Sequence, residues 1–407
     1  MSASTGADVE ALDRGAKDKP FTYKIVDADA HVNPHPSFWQ EYLPKHLREL
    51  APRIEHADDA DYVIFEGSRK KLNLMGQQAG RKGKDFKLEG RLSDVRSGGW
   101  EPAARLADMD LDGMDAAVLY GGGPLGTLNM ELYIESFRAY NRFLADFCAY
   151  DRRRLCGAAY LPMRSAEEGL AMLKEAVDLG FTTVNIPGFP QSTKDTAAPS
   201  ATGASQSMGA QAAALTGDPF GELRYDDPSF DKFWAAACDY DIALTVHLGG
   251  RIVRFAEKDK ILADMMMSKF AMAEPVAILI FSGIFQRFPK LKFGTIESGS
   301  GWMAFAAHYM DRTWEKQRYW TESPLKEPPS FYMDQNVYTS FINDRIAVET
   351  RHFPGAKNIM WSSDYPHSET TFPDSAAVIA RDMAGIPEAD KHAIICGNAQ
   401  KFFRIGE

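Results

Sequence analysis

The chain has 407 residues, 45% of them hydrophobic, which is enough to bury a large core within one barrel-sized domain. Its formal net charge is -10, from 46 basic and 56 acidic residues. That balance excludes the basic face a protein needs to displace counterions from nucleic acid, and the short run Arg81, Lys82, Lys84, Lys87 lies beside acids and reads as a solvated loop.

Residues 1–20 lack the apolar core of a signal peptide and read as a flexible leader. No later stretch is apolar for the ~20 residues of a membrane helix. A single domain over 21–407, cytoplasmic and without membrane contact, is therefore expected. The cysteines, Cys148, Cys156, Cys238 and Cys396, are scattered without a Cys-x-x-Cys pair, as suits buried thiols in a reducing compartment.

Eight β-rich runs follow in order. The first is YKIVDADAHV (23–32). After it come 52–100, charged and loop-like with one possible short strand at DYVIFEG, and then DAAVLY (115–120). A helical segment over 131–151 leads to LCGAAYLP (155–162), and a second over 165–180, closed by Gly180, leads to TTVNIP (182–187). Residues 190–222, rich in Ala, Ser, Gly and Thr, form a long connection, either a lid or a structureless loop. Then Phe230, Phe233, Trp234, Ala237 and Cys238 recur at helical spacing within 229–241, ahead of IALTVH (242–247). The apolar stretch 265–285 reads as a core helix, with Met265 to Met267 packed inside or, as the alternative, lining a binding surface. LKFGTIE (291–297), NVYTSF (336–341) and NIMWSSD (358–364) complete the set.

Strand–helix alternation repeated eight times predicts an α/β fold, a (β/α)8 TIM barrel with insertions after strand one (about 52–100) and strand four (about 190–222). An open doubly wound sheet is the rival. It calls for a phosphate loop, for which GGGP at 121–124 after strand two is the candidate, and the eightfold alternation favours the barrel over it.

Barrel chemistry gathers where strands end. Asp29 and His31 lie two apart on strand one and share a face, with Asp27 expected one layer below. His247 ends strand five, Glu297 strand six and Asp364 strand eight. Carboxylates closing apolar runs need a cation or hydrogen-bond donors. Asp29, His31, His247 and Asp364 are the expected metal ligands. Their mixed donors suit Zn2+ or Mn2+ first and Fe2+ next. His35, Glu297, His308 and His367 are surplus donors that leave room for a second metal.

The segments DADAHV, RLADMDLDGMDAAVLY (105–120), FWAAACDYDIALTVHLGG, FSGIFQRFPKLKFGTIESGSGW (281–302), WSSDYPHSETTFPDS (361–375) and CGNAQKFF (396–403) resemble the amidohydrolase superfamily. The likeness is greatest to its amidohydrolase-related branch, which includes aminocarboxymuconate-semialdehyde decarboxylase. The resemblance implies a barrel with one catalytic divalent metal and assembly as a homodimer or larger homo-oligomer. The family's strand-one pair falls on Asp29 and His31, with Asp where histidine is usual, as in aromatic-acid decarboxylases of the branch. Its strand-five histidine falls on His247 and its strand-eight aspartate on Asp364. Where the family often has a strand-six histidine, Glu297 stands nearby.

The first expectation is hydrolysis of a small carbonyl or carboxylate substrate through metal-bound water, with Asp364 as ligand and proton shuttle, Glu297 as base and His367 as acid. The alternative is non-oxidative decarboxylation of an aromatic or unsaturated acid. A further alternative is two-metal, oxygen-dependent hydroxylation, and a barrel without activity is the non-enzyme reading. Arg251, Trp302 and Tyr160 are the expected substrate contacts, beside Tyr365.

Overall fold

The computed structural model describes residues 22–191, 217, 223–247 and 261–405. The leader, Arg251 and most of 190–222 lie outside these residues.

Strand β1, Val26–Val32, opens the barrel. A small antiparallel sheet follows, made of β2 (Arg53–His56), β3 (Asp61–Phe65) and β4 (Ser68–Lys71). The sequence signalled only its middle strand, because charged strands with little burial lack the alternation that marks a sheet. The remaining barrel strands are β5 (Ala116–Gly121), β6 (Leu155–Tyr160), β7 (Thr183–Asn185), β8 (Ala243–His247), β9 (Lys292–Ile296), β10 (Val337–Phe341) and β11 (Ile359–Trp361). They pair in the order β1-β5-β6-β7-β8-β9-β10-β11, each neighbour parallel. Just past β11 the chain returns to β1, where Asp364 N donates to Asp29 O at 2.9 Å and His31 N donates to Tyr365 O at 2.6 Å. The eight predicted strands are therefore the eight observed ones, trimmed by one to three residues at several ends.

The helices between them stop where the sequence says they should. Asn129 and Ser165 cap Met130–Ala149 and Ala166–Asp178 through their side-chain oxygens, at 3.0 and 3.1 Å. Gly180, at φ +91°, ends the second of these, and Phe181 N reaches back to Ala176 O at 3.1 Å. Trp234 and Phe233 are fully buried against the barrel wall, as their spacing predicts.

Two cores result. One fills the barrel interior with Val26, Ala28, Val118, Ala158, Ala243, Ile296 and Met360, and is closed from below by Phe402 and Phe403 of the helix Asn398–Phe403. A side chain at Gly294 would lie 2.8 Å from the Phe402 ring, so only glycine lets this plug seat. The larger core fills the layer between strands and helices.

The pairing of β1 with β5 shifts register between Asp27 and Ala30. Val26 and Ala28 face the interior, yet Ala30 and Val32 belong to the outer layer, so the inward phase moves onto Asp29 and His31. This corrects the expectation for Asp27. Strict alternation placed it one layer below Asp29, whereas the irregularity turns it outward, where it accepts from Ser363 N at 2.9 Å and lines a small cavity with Arg105 and Asp108. Bulges of this kind re-aim side chains beside active sites.

The apolar stretch 265–285 is two helices, Ile261–Phe270 and Ala273–Phe281. The second is core, as expected, but Met266 and Met267 of the first are exposed, a correction to the packed reading. Among the described residues no helix is long and apolar enough to cross a membrane.

Candidate metal centre

At the C-terminal mouth of the barrel the bulge aims Asp29 and His31 inward, β8 delivers His247 at its last residue, and β9 and β11 give way to Glu297 and Asp364. Both acids adopt left-handed backbone, at φ +56° and +57°. Such geometry costs about 1–3 kcal/mol and persists where its surroundings hold it. Here Glu297 N donates to Ser340 Oγ at 3.0 Å, and Asp364 N is tied to Asp29 O.

The four expected ligands are linked through His31 and Asp29, although Asp364 falls in a different donor set from Asp29 and His247. His31 Nε2 lies 3.3 Å from Asp29 Oδ1 and 3.1 Å from Asp364 Oδ1, and His247 Nε2 lies 3.3 Å from Asp29 Oδ1. All four are buried. Glu297 Oε2 joins from 3.4 Å to His247 Nε2, and His367 Nδ1 lies 3.0 Å from Asp364 Oδ1. The His367 ring stacks on His31, with centroids 3.7 Å apart.

In spite of these close approaches, Asp29 Oδ2, His31 Nε2 and Asp364 Oδ1, all buried, make no hydrogen bond of good geometry. Buried polar atoms are normally satisfied, so three orphans in one cluster call for a group that accepts their lone pairs. Donors each about 2.1 Å from one ion, at angles near 90–109°, stand roughly 3.0–3.4 Å apart. The observed separations match, and the residues fit a divalent ion. The possible donor sets are Asp29, His31, His247, Glu297 and His31, Glu297, Asp364, His367.

Electrostatics agree. Burial opposes ionisation of Asp364, but His367 and His31 hold its carboxyl well below the usual range. Asp29 is likewise held down by His247 and His31 against the cost of burial. Burial also works against a charged His31, yet Asp29 and Asp364 lift it from 6.5 to about 10. Two ionised carboxylates flanking a buried imidazole create a field that favours a cation.

Beneath the seam, Arg105 is fully buried. Its Nε donates to Gly98 O at 2.7 Å, its Nη2 donates to His31 O, and its guanidinium lies over the Tyr365 ring, 4.4 Å from the centroid. Asp108 accepts from Tyr365 Oη and pairs with Arg96.

Above the centre opens a cavity of about 430 Å³, lined by Leu72, Leu74, Met75, Leu92, Met265, Pro34 and Pro36, with Glu297, Asp364 and His367 on its floor. The turn after β4 supplies much of the roof. Asn33 Nδ2 donates to Gly76 O at 2.8 Å, and Gln78 N donates to Pro366 O at 2.7 Å.

Other sequence expectations end elsewhere. Trp302 opens the helix Trp302–Gln317, bonds Gly299 O at 3.1 Å and packs on the outer core rather than on the cavity wall. Tyr160 is buried, with its hydroxyl donating to Gly121 O at 3.1 Å, and does not line this cavity. His308 is exposed on its outer helix and His35 bonds Ser37 Oγ at 2.7 Å, so neither supplies a surplus ligand. Arg251 lies outside the described residues. Sequence reasoning missed Lys269, whose Nζ lies 2.9 Å from Glu297 Oε1, and Tyr120, whose ring lies 5.0 Å from that of His247. Tyr120 closes the apolar run DAAVLY and pairs in register with His31, a readable signal. A lysine on a helix gives none.

The amidohydrolase family profile matches residues 26–405. A gamma-resorcylate decarboxylase from Polaromonas sp. (strain JS666) is 24% identical over 330 residues, spanning 78% of this chain and 90% of its own. The fold resembles an amidohydrolase from Mycobacterium avium subsp. paratuberculosis K-10, with TM-score 0.67, 18% identity, and 94% and 98% of the two chains covered. It also resembles a dihydroxybenzoic acid decarboxylase from Polaromonas sp. JS666 with bound manganese and 2-nitroresorcinol, with TM-score 0.60, 18% identity, and 95% and 98% covered. A 5-carboxyvanillate decarboxylase from Sphingomonas paucimobilis gives TM-score 0.59 at 20% identity, with 94% and 100% covered. The profile spans nearly every element described above, so the chain belongs to the amidohydrolase family, and in class it is a metal-dependent hydrolase or carboxy-lyase.

Proposed function

We propose that the chain is a divalent-metal-dependent, non-oxidative decarboxylase of a small aromatic acid. The observation that carries this is the juxtaposition of three unpartnered buried donor atoms with a largely apolar cavity directly above them. The acid at Asp29 and the decarboxylase relatives support decarboxylation over hydrolysis. Hydrolysis, the first expectation from sequence, is the second reading. The two donor sets share His31 and Glu297, which favours one ion over the pair that hydroxylation would use.

Asp29, His31, His247 and Asp364 would hold the ion, and manganese is bound in one decarboxylase relative. When bound, it supplies a Lewis acid for the substrate carboxylate and a neighbouring oxygen. The chain's own residues do the rest. Leu72, Leu74, Met75 and Met265 exclude water from the ring and so raise the cost of keeping the carboxylate. The bond from ring carbon to carboxyl breaks, carbon dioxide leaves, and a proton goes to the ring carbon. His367 is placed to hold that proton, with Nδ1 on Asp364 and its Nε2 edge against Gly76 on the cavity wall.

The test is to incubate manganese-loaded protein in heavy water with 2,6-dihydroxybenzoate and 5-carboxyvanillate. Carbon dioxide release with one deuterium on the product ring is expected. Turnover of esters or lactones without any carbon dioxide from aromatic acids would move the function to hydrolysis.

A further inference from the structure

Lys269 lies on the helix Ile261–Phe270, with its side chain only 25% exposed. Its ammonium is drawn in against two acids from two other catalytic-end loops: Glu297 Oε1 at 2.9 Å, just past β9, and Glu369 Oε2 at 3.5 Å, beyond β11. Glu297 is thereby used at both ends. One oxygen faces Lys269 and the other faces His247 Nε2 at 3.4 Å. Met265 stands four residues before Lys269, hence on the same helix face, and it lines the cavity. Met266, Met267 and Phe270 of that helix are exposed. The one face that carries Met265 and Lys269 is thus turned to the mouth, and the Lys269 pair is its polar anchor there.

We propose that Lys269 is a positioning residue of the centre: by gripping Glu297 and Glu369 it aims Glu297 at His247 and seats Met265 in the cavity wall. The inference rests on the metal reading given above. Without Lys269, the Glu297 carboxylate loses its nearest cation and swings from the ligand cluster, and the helix loses its tie to two loops. Lys269 is itself neither one of the donors nor part of the cavity lining, and it reaches both only through Glu297 and Glu369.

The experiment compares manganese affinity, by competition with a fluorescent chelator, in the full-length parent, Lys269→Met, Lys269→Arg, Glu297→Gln and the Lys269→Met/Glu297→Gln double variant. Lys269→Met is expected to bind manganese at least about tenfold more weakly, in the range seen for residues that orient metal ligands. Lys269→Arg recovers most of the loss. The double variant binds no more weakly than Glu297→Gln alone, since the two act as one unit. Should Lys269→Met not fold, Lys269→Gln takes its place. Unchanged affinity in Lys269→Met, or losses that add in the double variant, overturns the role of Lys269 while the metal reading stands. A folded parent that binds no manganese overturns the metal reading and this inference with it.

Discussion

The backbone amide of Asp364 donates to the carbonyl of Asp29 at 2.9 Å, so the bond that closes the barrel also fixes two expected metal ligands against each other. Closure and chemistry share a seam. Asp27, turned outward by the bulge, accepts from Ser363 N and Oγ on the same seam, and Arg105 donates to His31 O from behind it. Small errors there reach the ligands directly, and the first predictions concern it.

Arg105→Met should weaken both fold and centre. It strips the donors from two buried carbonyls, His31 O and Gly98 O, at about 1–3 kcal/mol each. Chemical denaturation should show a loss of roughly 2–4 kcal/mol. Manganese affinity should fall about 10–100-fold, as when an outer support of a ligand is removed. A destabilised protein that binds metal like the parent would confine Arg105 to the fold.

Proton and metal should compete at His31. Its folded value is lifted from 6.5 to about 10, so the stability it contributes without metal is whole below pH 6.5 and is lost as pH rises through about 10. The metal-free protein should therefore melt at progressively lower temperature between pH 7 and 10. Over the same range manganese should bind more tightly, by about tenfold per pH unit, because the ion displaces that proton. Calorimetry in buffers of different ionisation enthalpy checks this by counting protons released. No release near pH 7 would contradict it.

Gly76 tests the roof. A methyl there would sit 3.3 Å from His367 Cδ2 and Nε2 and 3.4 Å from Asn33 Nδ2. Gly76→Ala should leave stability within about 0.5 kcal/mol. Turnover should fall by about tenfold or more as His367 is pushed off its position. Equal kcat in variant and parent would remove His367 from the reaction.

Trp234 is the control far from the mouth. It is fully buried beside Phe233 and Phe230. Trp234→Ala should cost about 3–5 kcal/mol in denaturant unfolding. Metal content of the folded fraction should not change.

The barrel was legible because each strand ends in a change of residue type that burial forces. His247, Glu297 and Asp364 close apolar runs where an unaccompanied polar group would be costly, and that contrast is written in the sequence. Asp27 shows the limit. A period of two assumes an unbroken ladder, and one extra residue between Asp27 and Ala30 reverses its face. Lys269 and the roof from Leu72 to Gln77 were hidden for another reason. Their places are set by packing between segments far apart in the chain, which no local pattern encodes. His308 erred the opposite way, since a histidine carries no mark of which side of its helix meets solvent.

The central claim is that Asp29, His31, His247 and Asp364 form one divalent-metal centre. The most direct measurement is elemental analysis of protein purified without added metal and then reloaded with manganese, beside Asp364→Ala treated identically. The account predicts about one ion per chain in the parent, after the single-ion geometry of such sites, and almost none in the variant. A parent that retains no ion, or an Asp364→Ala protein that retains as much as the parent, would contradict it.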